Sequence, residues 1–358
     1  MIHRPALLAL SAALLGCGSA AIAQQAAPAS AAPALPAAPA PIRLSVSVQT
    51  KSGQPVTDLA QKDFILLDNK SPQSIRSFRV ATPAGDPVRV ILLIDAVNVP
   101  YPMVAYEREG VETFLKSNEG KLRYPTSIAV LTDQGIQIAN GFTTNGLDLN
   151  DTLQQHTIGL REITRFSDWG RRERLDLCLK AFNQLVAYAG TQPGRKMIIW
   201  VSPGWPLVSG PWISLTTQDE QQLFSIVVDF STRLRNSDVT LYSINPIGVT
   251  EPLEREDYYE VFLQGVTKAS QIQPGNLGVQ VISIQSGGLA IESSNDIVGM
   301  IRQCLADADS WYELVYDPPP ADKPNQYHHI EVKIDQPGLI ARTRDGYYAN
   351  PHLFTIHK

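Results

Sequence analysis

Four polar residues stand where long apolar runs stop: Asp95, Asp133, Ser202 and Asn245. In a parallel α/β sheet, binding and catalysis sit at the carboxyl ends of the strands, so these are the residues to weigh first. Asp95 directly ends the run Val88-Arg89-Val90-Ile91-Leu92-Leu93-Ile94, and a carboxylate in that position must find compensation. The familiar catalytic patterns GxSxG, HExxH, P-loop, GxGxxG and CxxC are absent, so no motif argues for nucleophilic, zinc or phosphate chemistry. Ser286-Gly287-Gly288 reads as a turn. His328 and His329 are neighbours in an alternating segment, so they point to opposite faces and cannot chelate together. An apolar loop carries Trp205 and Trp212, and loop aromatics are frequent anchors of protein recognition. The same indoles could instead fold back as local core. Residues 251–260 hold five acidic side chains with Tyr258 and Tyr259 and read as a solvated insertion.

The elements that must position these residues follow from periodicity. Ile42, Leu44, Val46 and Val48 alternate as a half-buried strand, and residues 42–84 read as all-β. Nearly continuous apolar runs at residues 88–94, 127–131, 197–201 and 239–244 read as strands buried on both faces. Leu175, Cys178, Leu179, Phe182, Leu185 and Val186 fall on one helical face, as do Leu223, Ile226, Val227, Phe230 and Leu234. Thr217 with Glu220 suggests a capping box for the second helix. Ile297, Val298, Ile301 and Leu305 form a last helix, with Ser294 or Asn295 as its cap. Strands alternating with helices predict an α/β sheet with crossovers. After it the β pattern returns, at Trp311 to Tyr316, His328 to Ile334 and Leu339 to Arg344.

Composition sets the outer bounds. Of 358 residues, 44% are hydrophobic and 18% charged, enough to bury a real core. A formal net charge of −5 argues against nucleic acid as a partner, since counterion release needs clustered Lys and Arg. His3 and Arg4 precede an apolar run of 11 residues, and Ala21-Ile22-Ala23 offers a cleavage site before Gln24. This is an export signal, and the expected location is periplasmic or secreted. Leu14-Leu15-Gly16-Cys17 also resembles a lipobox, and cleavage there would leave Cys17 lipidated, the one route to the membrane. Residues 26–41 hold 14 Ala or Pro in 16 positions and read as an extended spacer. The expected organisation is a signal peptide over residues 1–23 (1–16 for a lipoprotein), a linker over 24–41, a β segment over 42–84, an α/β domain over 87–309 and a β segment over 310–352. About 40 residues of β at each end are too few to stand alone, so the two ends are expected to pack as one small sandwich around the inserted domain.

Several separated blocks resemble the von Willebrand factor A-related family typical of exported acidobacterial proteins. They are Pro55-Val56-Thr57-Asp58-Leu59 with Lys62-Asp63-Phe64, Val90 through Asn98, Pro193-Gly194-Arg195-Lys196 leading to Ile199-Trp200-Val201-Ser202, Ser286-Gly287-Gly288, Trp311 to Tyr316, Pro337-Gly338, and Arg344-Asp345-Gly346-Tyr347-Tyr348. The resemblance implies a doubly wound, mostly parallel sheet whose top face can hold Mg²⁺ or Ca²⁺ in a metal-ion-dependent adhesion site. That site uses DxSxS, a Thr and a second Asp. Here Asp95 remains, Val97 and Val99 stand for the two Ser, Arg172 aligns near the Thr, and Ser202 replaces the later Asp. Asp95, Asn98 and Ser202 are the only weak ligand candidates left, so no cofactor is expected.

The function expected from these observations is a non-enzymatic, metal-independent adhesion-type module. It would bind a protein or cell-surface polymer through its top-face loops, with Trp205, Trp212, Asp133 and Asn245 as contact candidates. A cell-envelope enzyme centred on Asp95 and Ser202, or a structural part of an envelope assembly, are the competing expectations. The sheet order implied by the resemblance also places Cys178 and Cys304 on opposite faces, too far apart to pair.

Overall fold

A computed structural model of the chain describes residues 40–156, 163, 167–207, 214–246, 258–292 and 294–350. The export signal, Cys17, nearly all of the linker, Trp212, most of the acidic insertion and the tail beyond residue 350 lie outside the described residues.

The first strands are β1 (Ile42–Thr50), β2 (Phe64–Asp68), β3 (Ser71–Gln73) and β4 (Ser77–Ala81). In β1 the alternation seen in the sequence buries Ile42, Leu44, Val46 and Val48. The middle of the chain runs β5 (Val88–Asp95), α1 (Tyr101–Lys116), β6 (Lys121–Thr132), β7 (Gly135–Ile138), β8 (Thr143–Asn145), α2 (Gly146–Gln155), α3 (Asp168–Gly190), β9 (Arg195–Val201), α4 (Thr217–Asn236), β10 (Val239–Asn245), α5 (Val279–Gln285), β11 (Ala290–Glu292) and α6 (Ile297–Leu305). The chain then returns to β12 (Trp311–Tyr316), β13 (Gln326–Ile334), β14 (Leu339–Arg342) and β15 (Gly346–Ala349).

Three sheets result. The central one has the order β11-β10-β9-β5-β6-β7, with β8 also on β6; β7 and β8 are antiparallel to β6 and the rest of the ladder is parallel. Its odd and even side chains feed separate cores. Ile91 and Leu93 pack with α3, α4 and α5, whereas Val90, Leu92 and Ile94 pack with α1, α2 and α6. A strand covered on both faces carries no polar alternation, which is why β5 and β9 read as unbroken apolar runs.

The other two sheets are antiparallel, in orders β14-β1-β12-β4 and β15-β13-β2-β3. Each draws strands from both ends of the chain, and their inner faces share one core built on Leu44, Phe64, Leu66, Tyr312, Leu314 and Ile330. The architecture is therefore an α/β sheet plus a β-sandwich. Inside the sandwich the buried Asp68 accepts hydrogen bonds from Tyr316 at 2.9 Å and Tyr347 at 3.1 Å, and meets His328 Nδ1 at 2.8 Å. His328 points inward and His329 outward, as their adjacency requires.

Several local expectations are corrected. The α4 capping box is Thr216 with Asp219, one residue before the expected pair, because Thr216 Oγ1 accepts from the Asp219 amide. Asp296, not Ser294 or Asn295, caps α6, its carboxylate accepting from Gly299 N at 2.8 Å. Helices α1, α2 and α5 had no expectation attached. In α1 the apolar stripe is interrupted by Glu107 and Gly110, and Pro102 sits in the first turn. Gly110 is required there by close approach: a Cβ would lie 2.7 Å from Ile297 Cβ on α6.

Candidate functional site

The chain leaves β5 toward β6 on one side and reaches β9 on the other, so the crossovers diverge between β5 and β9. Such a switch point is where open α/β sheets bind ligands, in the crevice beyond the carboxyl ends. Asp95 and Ser202 end those two strands, and the fold brings them together. The Ser202 hydroxyl donates to Asp95 Oδ2 at 2.9 Å. Trp200 Nε1 donates to the same oxygen at 3.1 Å and Asn98 Nδ2 at 2.6 Å. Oδ1 accepts the amides of Val97 at 2.9 Å and Asn98 at 3.1 Å. Asp95 is 0% exposed and receives five donors, while a carboxylate offers about four lone-pair directions.

This geometry decides what the crevice can do chemically. The lone pairs of Asp95 are all engaged by groups of the chain itself. Asn98 uses its amide nitrogen on Asp95 and Cys178 Sγ, while its oxygen accepts from Arg174 Nη1 at 3.4 Å. Ser202 Oγ gives its proton to Asp95 and accepts from Gly204 N at 3.0 Å. Among the described residues no group of three or more His, Cys, Asp or Glu is placed to hold a metal ion.

The cation expected beside the crevice is present, but it is Arg174 rather than Arg172. Arg174 is fully buried and Arg172 is exposed, since two residues along a helix turn the side chain by about 200°. The Cys178 thiol lies on the same face. Burial pushes it well above its ordinary value, and the nearby Asp95 adds to the shift.

Glu107 was not among the sequence candidates. It occupies a stripe position of α1, three residues after the buried Val104 and four before the buried Val111, which is the signal that could have found it. Both its oxygens are buried without a hydrogen-bond partner among the described residues. Burial, then the proximity of Asp95, pushes its carboxyl well above the usual value. A neutral acid is the form that such a site favours.

Further along the edge, Asn245 donates to Glu292 Oε2 at 2.7 Å, and Gln280 Nε2 reaches Glu292 Oε1 and the Pro203 carbonyl, each at 3.2 Å. Asn245 is 2% exposed and is therefore a bracing residue between β10 and β11, not a surface contact. Trp205 is corrected in the same way. It is 4% exposed, donates to the Leu277 carbonyl at 2.7 Å and packs edge-on against Trp200. Asp133 is half-buried, with Oδ1 unpartnered among the described residues. Among the described residues an exposed Trp is Trp169, 65% exposed at the start of α3. It falls nine residues before Cys178, hence about 180° around the helix from that buried position.

Cys178 and Cys304 are both buried and free, on opposite faces of the sheet. Among the described residues no helix is long and apolar enough to cross a membrane.

No family model matches the chain, and no curated protein matches it. Solved structures resemble it weakly. Manganese-loaded TRAP protein of Plasmodium vivax matches with TM-score 0.33 and 10% identity, over 80% of this chain and 98% of that one. The pilus adhesin SpaC of Lactobacillus rhamnosus GG matches with TM-score 0.34 and 11% identity, over 78% of this chain and 46% of that one. Proximal thread matrix protein 1 from the mussel byssus gives TM-score 0.30 and 13% identity, over 62% of this chain and 48% of that one. The chain thus spans less than half the length of the mussel protein and the pilus adhesin. Likeness of this degree carries no argument about function.

Proposed function

We propose that the chain is an exported binding module of the von Willebrand factor A-related type, attaching to a protein or cell-surface polymer without a divalent cation and without catalysis. The observation that carries the reading is the saturation of Asp95. Its carboxylate is filled from within by main-chain amides, an indole, an amide and a hydroxyl, so the switch-point crevice is braced shut. Contact then falls to the exposed rim. Helix α3 runs back into β9, so its first turns lie at the carboxyl end of the sheet, where Arg174 and Cys178 meet Asn98. Trp169 stands five residues before Arg174 at that end and presents a large apolar surface to solvent. A solvent-facing Trp is the side chain best suited to anchor a partner. The export signal and the Ala/Pro spacer support delivery outside the cytoplasm.

The test is retention of the full chain on isolated envelope material, in excess Mg²⁺ and in excess chelator, beside the variant Trp169→Ala. Equal retention in both solutions and an affinity about tenfold weaker for the variant are expected. Loss of retention on chelation, or full retention by Trp169→Ala, overturns the reading.

A further inference from the structure

A second concentration of buried charge lies away from the crevice, where the end of the chain meets helices α4 and α5. Two segments singled out in the sequence come together there, Ser286-Gly287-Gly288 and Arg344-Asp345-Gly346. Gly287 has φ +94°, and a Cβ on it would sit 3.0 Å from the Arg344 nitrogen and 3.0 Å from the Thr343 carbonyl carbon. Glycine is what lets the chain carrying Arg344 lie against the end of α5.

Arg344 thereby enters a cavity with about 20 Å³ of free space, open on one side. Val227, Phe230 and Leu234 of α4 form an apolar wall, and Ser231, Gln285 and Arg344 supply polar groups. Arg344 is 9% exposed, and among the described residues its guanidinium makes no hydrogen bond or ion pair. The charges acting on it are Asp238, which attracts, and Arg235, which repels. Arg235 lies over the Tyr347 ring at 5.4 Å. With one carboxylate facing two guanidinium groups, the locality keeps an excess positive charge. Asp345, next in the chain, does little to offset it, because burial pushes its carboxyl up to about 7. Burial also pulls Arg344 down to about 10. A largely buried guanidinium with its fork unfilled is matched by a planar carboxylate, which takes two parallel N–H donors.

We propose that this cavity binds a small carboxylate, its oxygens on Arg344 and its alkyl end at the open side. The free volume is about that of one or two waters, which limits the buried part of the ligand to the carboxylate head and excludes a sugar or nucleotide. The head could belong to a free short-chain acid or to a peptide C-terminus.

The experiment titrates the full chain with sodium acetate, propionate and chloride at constant ionic strength, following the thermal midpoint and the heat of binding. Acetate and propionate should raise the midpoint saturably, and chloride should not. N-acetylalanine and its amide form the peptide arm: binding of the acid but not the amide places a chain end in the site, and binding of propionate alone places a free acid there. Arg344→Gln should abolish the saturable response. Because that variant could fail to fold, Ser231→Leu, on the half-buried side of α4, serves as a second block that leaves Arg344 in place. A carboxylate response no larger than chloride's, or one that survives Ser231→Leu, overturns the proposal.

Discussion

Asp95 ends a central strand at the switch point of the sheet, and its carboxylate is bonded from within by five donors. Truncating it leaves the Trp200 indole, two main-chain amides and the Asn98 amide without an acceptor in a dry interior. Asp95→Ala should therefore cost about 3 kcal/mol or more in a denaturant titration, with equal loss in Mg²⁺ and in chelator. A wild-type midpoint that rises by many degrees with Mg²⁺ would show that the carboxylate is open to a cation after all. Glu107 gives a pH signature of its own. Its folded value is raised above the ordinary 4.5, so the folded state holds a proton that the unfolded chain releases. That contribution is fully present below about pH 4.5 and is lost as pH rises toward the folded value, at up to about 1.4 kcal/mol per pH unit. Glu107→Gln, which keeps the shape without the ionisation, should flatten this decline. The advantage of the variant over wild type should grow from pH 4.5 to 7; a constant difference would mean that Glu107 does not hold its proton.

At the scale of elements, the crevice depends on how α1 and α6 lie against one face of the sheet. Gly110 makes that approach possible, and Ile297 fills the space its missing side chain leaves. In an isolated helix, Gly→Ala gains about 1 kcal/mol. Here the added methyl would meet Ile297 Cβ at 2.7 Å and its Cδ1 at 2.4 Å, and overpacking of that kind costs about 1–3 kcal/mol. Gly110→Ala should destabilise the wild-type chain yet stabilise the Ile297→Gly chain, which alone removes the contacting Cβ, a reversal of sign that urea midpoints would reveal. The same sign in both backgrounds would remove the packing explanation. The two corrected caps teach a related lesson about elements. Thr216, Thr217, Ser294, Asn295 and Asp296 are all competent capping side chains, and which one serves depends on where the backbone leaves the extended region.

Across the whole molecule, the sandwich is tied to the central sheet by one charged hub. Arg342 at the end of β14 makes two bonds to the Asp307 carboxylate, at 2.5 and 2.6 Å, and Tyr242 of β10 donates to it at 2.8 Å. Arg195 of β9 binds the Asp307 carbonyl at 2.9 Å and lies over the Trp311 ring at 5.0 Å. Arg342→Met leaves a buried carboxylate facing one hydroxyl and should cost about 3–5 kcal/mol, whereas adding Asp307→Leu should recover part of the loss. Strictly additive losses in this cycle would show that the pair does not couple the two layers.

What the sequence determined by itself is what neighbours along the chain decide. Period-2 alternation marks β1, nearly continuous apolar runs mark β5, β9 and β10, and 3.6-residue periodicity marks α3 and α4. Asp95 and Ser202 were legible as strand ends for the same reason. Tertiary structure alone decided whether those ends are open. The groups that close Asp95 include Trp200 and Ser202, 105 and 107 residues away, and Arg174 reaches Asn98 across 76. No local pattern encodes such meetings, and for the same reason the pattern could not tell an exposed Trp205 from a buried one. Trp169 could be placed only once the true start of α3 was known, because its side of the helix is defined by which residues pack beneath it. Glu107 escaped because a carboxylic acid is read as polar from its type, while its burial is a property of the layers above and below.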